Sequence, residues 1–119
     1  MKKDDSVYLH HILDAIRRIE KYARGISEER FLANDLLQDA VVRQLEVIGE
    51  AARNLSPEFQ TRHPEIPWNQ ITGLRNRIGH DYANVDTQIV WEVVTEDLSV
   101  LKKQVLRALK DGRHRPSPT

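Results

Sequence analysis

The sequence predicts an all-α fold, an antiparallel bundle of four main helices joined by short helical turns. Three observations predict it. Apolar residues recur at helical spacing along nearly the whole chain, and alternating, strand-like runs are nearly absent. Ser, Asn, Asp, Pro and Gly stand where helices of that pattern would begin or end. At 119 residues the chain is the length of one domain. The bundle is expected over residues 6–110, with 111–119 as a flexible C-terminal tail, because that tail is Pro-bearing and almost without apolar side chains.

The first helix is expected from near Ser6, with Leu9, Ile12, Ile16 and Ile19 on one face and Gly25 as its stop. Ser27 caps a short turn through Phe31. Asn34 caps a long helix to about Asn54, roughly 30 Å at 1.5 Å per residue. Two apolar stripes run along it, Leu37, Val41, Ile48, Ala52 and Leu55, and Leu36, Ala40, Val47 and Ala51. Two stripes require more than one neighbour, so this helix is central. Its third side carries Asp39, Arg43, Glu46, Glu50 and Arg53 within an arc of about 80°. Ser56-Pro57 opens a further helical turn, cap followed by proline at the first helical position. Pro67 opens a helix from Trp68 to about Gly79, with Ile71, Leu74 and Ile78 inward. Asp86 caps the last helix, which runs to about Lys110 and lines its inner face with Val90, Val94, Leu98, Leu101, Val105 and Leu109.

Composition removes several functions. No apolar run approaches the ~20 residues that a spanning helix needs, so no membrane partner is expected. No apolar segment follows the basic start, so a signal peptide is not expected and the cytoplasm is the default compartment. Cysteine is absent, which removes thiolate nucleophiles and cysteine-ligated zinc. Lys plus Arg and Asp plus Glu both number 18, which excludes a globally basic nucleic-acid binder but not a local basic face. Charge is unevenly placed. Residues 27–58 hold seven acids against three bases, and residues 101–119 hold six bases against one acid. That polarity suits self-association or an anionic partner, and it equally describes two solvated helix faces.

Chemistry concentrates in Leu74-Arg75-Asn76-Arg77-Ile78-Gly79-His80-Asp81-Tyr82. A guanidinium grips phosphate through a two-pronged fork and keeps its charge. An imidazole takes or gives a proton near neutrality. Together they suit metal-free cleavage of RNA. The 2′-hydroxyl attacks the adjacent phosphorus, a base removes its proton, an acid protonates the departing 5′-oxygen, and a cation stabilises the charge on phosphorus. The products are a 2′,3′-cyclic phosphate end and a free 5′-hydroxyl. Five residues separate Arg75 from His80, about 140° on a straight helix. Either the helix loosens at Gly79, or two copies of the chain meet and share the site. The second arrangement predicts a symmetric homodimer. The bland alternative for these residues is a salt-bridging arginine and a histidine that complements a helix C-terminus.

Other candidates weigh less. His10 and His11 point about 100° apart and are read as surface residues; His63 sits in a Pro-rich link and His114 in the tail. His10 and Asp14 share a helical face, but two ligands make no metal site. Trp68 and Trp91 are read as core anchors. Glu50 is open between two roles, accepting hydrogen bonds from Arg75 or His80, or pairing with Arg53 on a solvated stripe. Neither a P-loop, nor HExxH, nor GxGxxG is present.

Arg75, His80 and Tyr82 resemble the R-x4-H-x-Y motif of the HEPN superfamily, specifically the HepT-like toxin family. Val47-Ile-Gly-Glu-Ala-Ala-Arg53, Ile66-Pro-Trp68, Leu74-Arg-Asn76 and Val90-Trp-Glu-Val-Val94 fall in that family's order and spacing, and the resemblance spans roughly residues 6–110. It implies a dimeric, HEPN-like helical bundle and a metal-independent endoribonuclease without cofactor, the toxin of a two-gene toxin–antitoxin module. It implies Arg75 and His80 as catalytic residues, with Asn76 supporting them. Arg77 adds charge that can help hold RNA. The implied antitoxin partner is a small MntA-like nucleotidyltransferase that transfers AMP to Tyr82, placing bulk and negative charge beside a phosphate site. A competing reading is a non-catalytic module that binds nucleotide or partner through the same residues, and a third is a structural adaptor.

Overall fold

The computed structural model describes residues 3–78 and 85–114. Every regular element among them is helical, as the apolar spacing predicts. The first, α1, spans Lys3–Ala23, a few residues earlier than its expected start. Leu9, Ile12, Ile16 and Ile19 are wholly buried. The chain leaves α1 through Gly25 at φ 71°, a left-handed conformation that favours glycine. Ser27 caps α2 (Glu28–Leu32) by accepting from the Arg30 N–H, and Asn34 caps α3 (Asp35–Arg53) by accepting from the Leu37 N–H at 3.0 Å.

α3 is central, with α1 and the helical segments within 68–78 and 87–92 all packed on it. Its first stripe is inside as expected, with Val41, Ile48, Ala52 and Leu55 buried. Leu45, which lies in neither expected stripe, is wholly buried too. The second stripe departs from expectation. Ala51 is buried and Ala40 and Val47 are half-buried, but Leu36 is 81% exposed. Leu36 stands in the first turn of α3, at the end of the helix.

The antiparallel register is fixed at one end by Asp5, which is 1% exposed. Its carboxylate accepts from the Ser56 N–H and from the Ser56 hydroxyl, both at 2.8 Å. Ser56 in turn caps α4 (Pro57–Arg62) by accepting from the Phe59 N–H. A buried carboxylate is tolerated here because both oxygens are satisfied. Trp68 is a core anchor, as read from sequence. It is 8% exposed, and its indole N–H donates to the carbonyls of Gln60 and His63. Trp91 is half-buried, with its ring 5.2 Å from that of Phe31.

Two expected helices are interrupted. The expected run from Trp68 to Gly79 is divided into α5 (Trp68–Thr72) and α6 (Leu74–Ile78). At Gly73 φ is −90° and ψ 6°, off the helical ψ, while the Thr72 hydroxyl takes the Trp68 carbonyl. A new turn then begins, with the Arg77 N–H donating to the Gly73 carbonyl. Asp86 caps α7 (Thr87–Glu92) through the N–H groups of Gln88 and Ile89, as expected. A π-helical turn, Val93–Asp97, then separates α7 from α8 (Leu98–His114). The Leu98 N–H reaches back five residues to the Val93 carbonyl. The wider turn swings Val93 rather than Val94 fully into the core. α8 also continues through Gly112 to His114, past its expected stop near Lys110, since one interior glycine costs a helix only about 1 kcal/mol.

Candidate active site cleft

The inner face of α6 is anchored by Leu74 and Ile78, 5% and 2% exposed. That burial turns Arg75, Asn76 and Arg77 outward, and all three are exposed. Arg77 pairs with Asp97 at 2.8 Å and ties α6 to the π-helical turn, so its charge is largely committed within the fold. The side chains of Arg75 and Asn76 have no hydrogen bond or ion pair among the described residues.

Arg75 lines an open cleft of about 450 Å³. The charged stripe of α3 forms its floor, with Arg43, Glu46, Glu50 and Arg53 all lining it. Tyr8 and His11 of α1 form one wall, and Thr72 and Arg75 the other. A close approach sets the second wall. A Cβ at Gly49 would stand 3.3 Å from the Ile71 carbonyl oxygen, so the absent side chain lets α5 lie directly on α3. Arg53 fastens the same junction. Its guanidinium donates to Glu50 at 3.0 Å and to the Thr72 carbonyl at 3.3 Å, at the C-terminal end of α5.

Of the two roles left open for Glu50, the described contacts support the pairing with Arg53. The cleft nevertheless brings Glu50 and Arg75 together. His80 and Tyr82, with Gly79 and Asp81, lie outside the described residues. The ends of the segment that carries them are held together, because the Asp86 N–H donates to the Ile78 carbonyl at 2.8 Å. Ile78 and Asp86, which flank that segment, therefore meet at the C-terminal end of α6, within one turn of Arg75.

The cleft carries an excess of cationic groups. Arg53 and Glu50 neutralise each other, which leaves Arg43 and Arg75 against Glu46. Neither Arg43 nor Glu46 has a side-chain partner among the described residues. The guanidiniums of Arg43 and Arg75 each have the charge and the two-pronged geometry that phosphate takes. Among the described residues no cluster of three or more His, Asp or Glu could hold a metal ion, and no helix is long and apolar enough to cross a membrane. His11 and Tyr8 enter the site unannounced by sequence. His10 and His11 are both exposed, as read, but only His11 lines the cleft, its ring edge-on to that of Tyr8 with centroids 5.9 Å apart. The i, i+3 spacing of Tyr8 and His11 was the available signal, and it says nothing about what they face.

Known proteins can now be set beside this geometry. The family model described as ribonuclease HepT-like matches residues 12–108. The chain is 42% identical over 102 residues to "Probable ribonuclease HepT" of Thermococcus cleftensis, a match covering 86% of this chain and 93% of the relative. It is 40% identical over 103 residues to "Putative RNase TTE0752" of Caldanaerobacter subterraneus, covering 87% and 92%. It is also 40% identical over 111 residues to "Gamma-glutamylcyclotransferase and putative RNase MJ0434" of Methanocaldococcus jannaschii. There the match takes in 93% of this chain but spans only half the length of the relative. No solved structure gives a significant match. The motif, the helical fold and a match over most of its length agree: the chain belongs to the ribonuclease HepT-like family.

Proposed function

We propose that this protein is a metal-independent endoribonuclease, the toxin of a two-gene toxin–antitoxin module. The observation that carries the reading is Arg75, an exposed guanidinium without a described partner, on the wall of a cationic cleft beside the pinned ends of the His80 segment. Arg53 and Arg77, by contrast, are paired within the fold. The ribonuclease names of its relatives support the same substrate class.

In this reading Arg75 binds a non-bridging oxygen of the scissile phosphate and stabilises the charge that grows there. His80 moves the protons. One imidazole takes the proton of the attacking 2′-hydroxyl, and a second protonates the 5′-oxygen as its bond to phosphorus breaks. Two imidazoles call for two chains, so the active particle is a homodimer with a shared site. Asn76, exposed beside Arg75, supports the phosphate or the imidazole. Glu50 supports through Arg53, which it holds against the Thr72 carbonyl.

Control falls on Tyr82. A nucleotidyltransferase antitoxin, MntA-like, brings ATP; the phenol oxygen attacks the α-phosphorus, pyrophosphate leaves, and the phenol proton passes to solvent. The attached AMP fills the site with bulk and negative charge and excludes RNA.

The test is cleavage of an end-labelled RNA in EDTA by the purified protein and by Arg75→Ala and His80→Ala. The expected result is a 2′,3′-cyclic phosphate product from the parent and loss of cleavage in both variants, with helicity retained. Cleavage by clean His80→Ala protein refutes the catalytic assignment. RNA binding without cleavage by the parent favours the competing non-catalytic module. Intact mass after co-expression with the antitoxin tests control. The expected outcome is AMP-sized additions that vanish in Tyr82→Phe.

A further inference from the structure

The cleft is longer than one phosphate. Asp5 on Ser56 fixes the start of α1 beside the end of α3, so Tyr8, one turn further along α1, stands near Arg53 and Asn54. Arg43 lies ten residues earlier on α3, about 15 Å away along the helix. A single phosphate on Arg75 leaves most of that length, and a volume in the range of small-ligand sites, unaccounted for.

The remaining lining has a consistent chemistry. Tyr8 is half-buried against the core, which fixes its ring, while His11 is exposed and meets it edge-on. Such a pair offers an aromatic surface to a flat ring. Arg43 offers a free cation for a backbone phosphate. Glu46 is half-buried on the floor with no partner among the described residues, a carboxylate that can only accept hydrogen bonds. An acidic peptide would meet Glu46 and Glu50 unfavourably, and a wholly apolar segment would leave Arg43, Arg75 and Glu46 without partners. A single-stranded nucleotide matches all three features: base on aromatic, phosphate on guanidinium, exocyclic amine on carboxylate.

We propose that the Tyr8–His11 wall and Glu46 form a base-recognition subsite for a nucleotide flanking the scissile linkage, selective for amino-bearing bases over uracil. The inference rests on the ribonuclease reading and adds a specificity to it. Cytosine, adenine and guanine each carry an amino group that can donate to Glu46; uracil carries none. Tyr8 and His11 contribute stacking, which is tolerant of base identity, so they set affinity while Glu46 sets preference.

The experiment uses short RNAs that vary A, C, G or U at the positions on either side of one cleavable linkage. Parent, His11→Ala, Tyr8→Leu and Glu46→Gln proteins are compared by cleavage kinetics and by fluorescence anisotropy. At one flanking position the parent is expected to favour the amino-bearing bases over uracil about tenfold. Glu46→Gln is expected to erase most of that ratio, because an amide also donates. His11→Ala, an exposed position, is expected to raise KM about tenfold with little change in kcat, the size expected for one stacked base. Equal use of all four bases at both positions, or a His11→Ala protein with unaltered KM and anisotropy, overturns the subsite. So does dissociation of an oligomer in place of a KM effect, which would mean that a second copy of the chain occupies the cleft. A parent that binds RNA with this preference but does not cut it defeats the nuclease reading and leaves the subsite standing. Cleavage without the preference does the reverse.

Discussion

Gly49→Ala separates what holds the fold from what holds the site. In the interior of α3, alanine is favoured over glycine by about 1 kcal/mol of helix propensity. The new methyl carbon would stand 3.3 Å from the Ile71 carbonyl oxygen, closer than most real contacts of that kind. That oxygen is backbone and cannot rotate away, so α5 must retreat by a few tenths of an ångström. Overpacking of this sort costs about 1–3 kcal/mol, and the propensity gain offsets part of it. The net loss is therefore about 0–2 kcal/mol, a fall in melting temperature of less than about 10 °C.

The consequence for the cleft is larger than that. The Arg53–Thr72 hydrogen bond is already 3.3 Å long, and Thr72 is the next residue after Ile71. A retreat of a few tenths of an ångström carries it past 3.5 Å, where little attraction remains. The wall that bears Arg75, three residues further on, then loses its tether to α3. Misplacement by about 1 Å can lower a rate by about a hundredfold, so a shift of a few tenths should lower kcat several-fold to about tenfold. The assay pairs thermal melting by circular dichroism with cleavage of a labelled RNA in EDTA. Full kcat in a protein of parental melting temperature would refute the idea that the Gly49 approach positions the arginine. A melting temperature lowered by 20 °C would refute the energy balance.

Three further outcomes follow from contacts elsewhere. Asp5→Ala leaves the half-buried Ser56 N–H unpaired and removes the tie between α1 and α4, so we expect a loss of about 2 kcal/mol in urea unfolding, with Asp5→Asn costing less because one acceptor remains. Trp68→Phe keeps most of the ring but removes the indole N–H shared by the carbonyls of Gln60 and His63, which keep the N–H groups of His63 and Ile66, for an expected loss of about 1 kcal/mol by the same measurement; a loss above about 3 kcal/mol would mean that the indole does more than this one hydrogen bond. Arg77→Ala breaks a partly exposed pair with Asp97 and should cost less than about 1 kcal/mol, so a double-mutant cycle with Asp97→Ala should return a coupling below that value.

Local chemistry is the part of this protein that its sequence announces. Ser27, Asn34, Ser56 and Asp86 each cap the helix they were expected to cap, because a cap is decided within three residues of itself. The burial of Leu9, Ile12, Ile16 and Ile19 follows just as directly from spacing. Legibility ends where one element answers to another. The swing of Val93 into the core follows a change of helical pitch that periodicity assumes away, and the salt bridge of Arg77 to Asp97 joins residues twenty apart.

The cleft is the extreme case of that dependence. Arg75 was visible as a candidate because its neighbours in sequence are themselves chemical. Tyr8, His11 and Arg43 were not, because nothing within a turn of them distinguishes them from ordinary surface residues. What recruits them is a register set by Asp5 on Ser56 and a wall set by Gly49 beneath Ile71 and Arg53 beneath Thr72. None of those groups needs to touch RNA. They form a frame, and the frame makes an exposed charged stripe into a recessed one. The same Glu50–Arg53 pair on an isolated helix would contribute a few tenths of a kcal/mol and mean little. Between α1 and α5 it neutralises the middle of the floor and leaves the free guanidiniums of Arg43 and Arg75 to meet an anion, which is why a pair that looks merely solvated in sequence matters to the site.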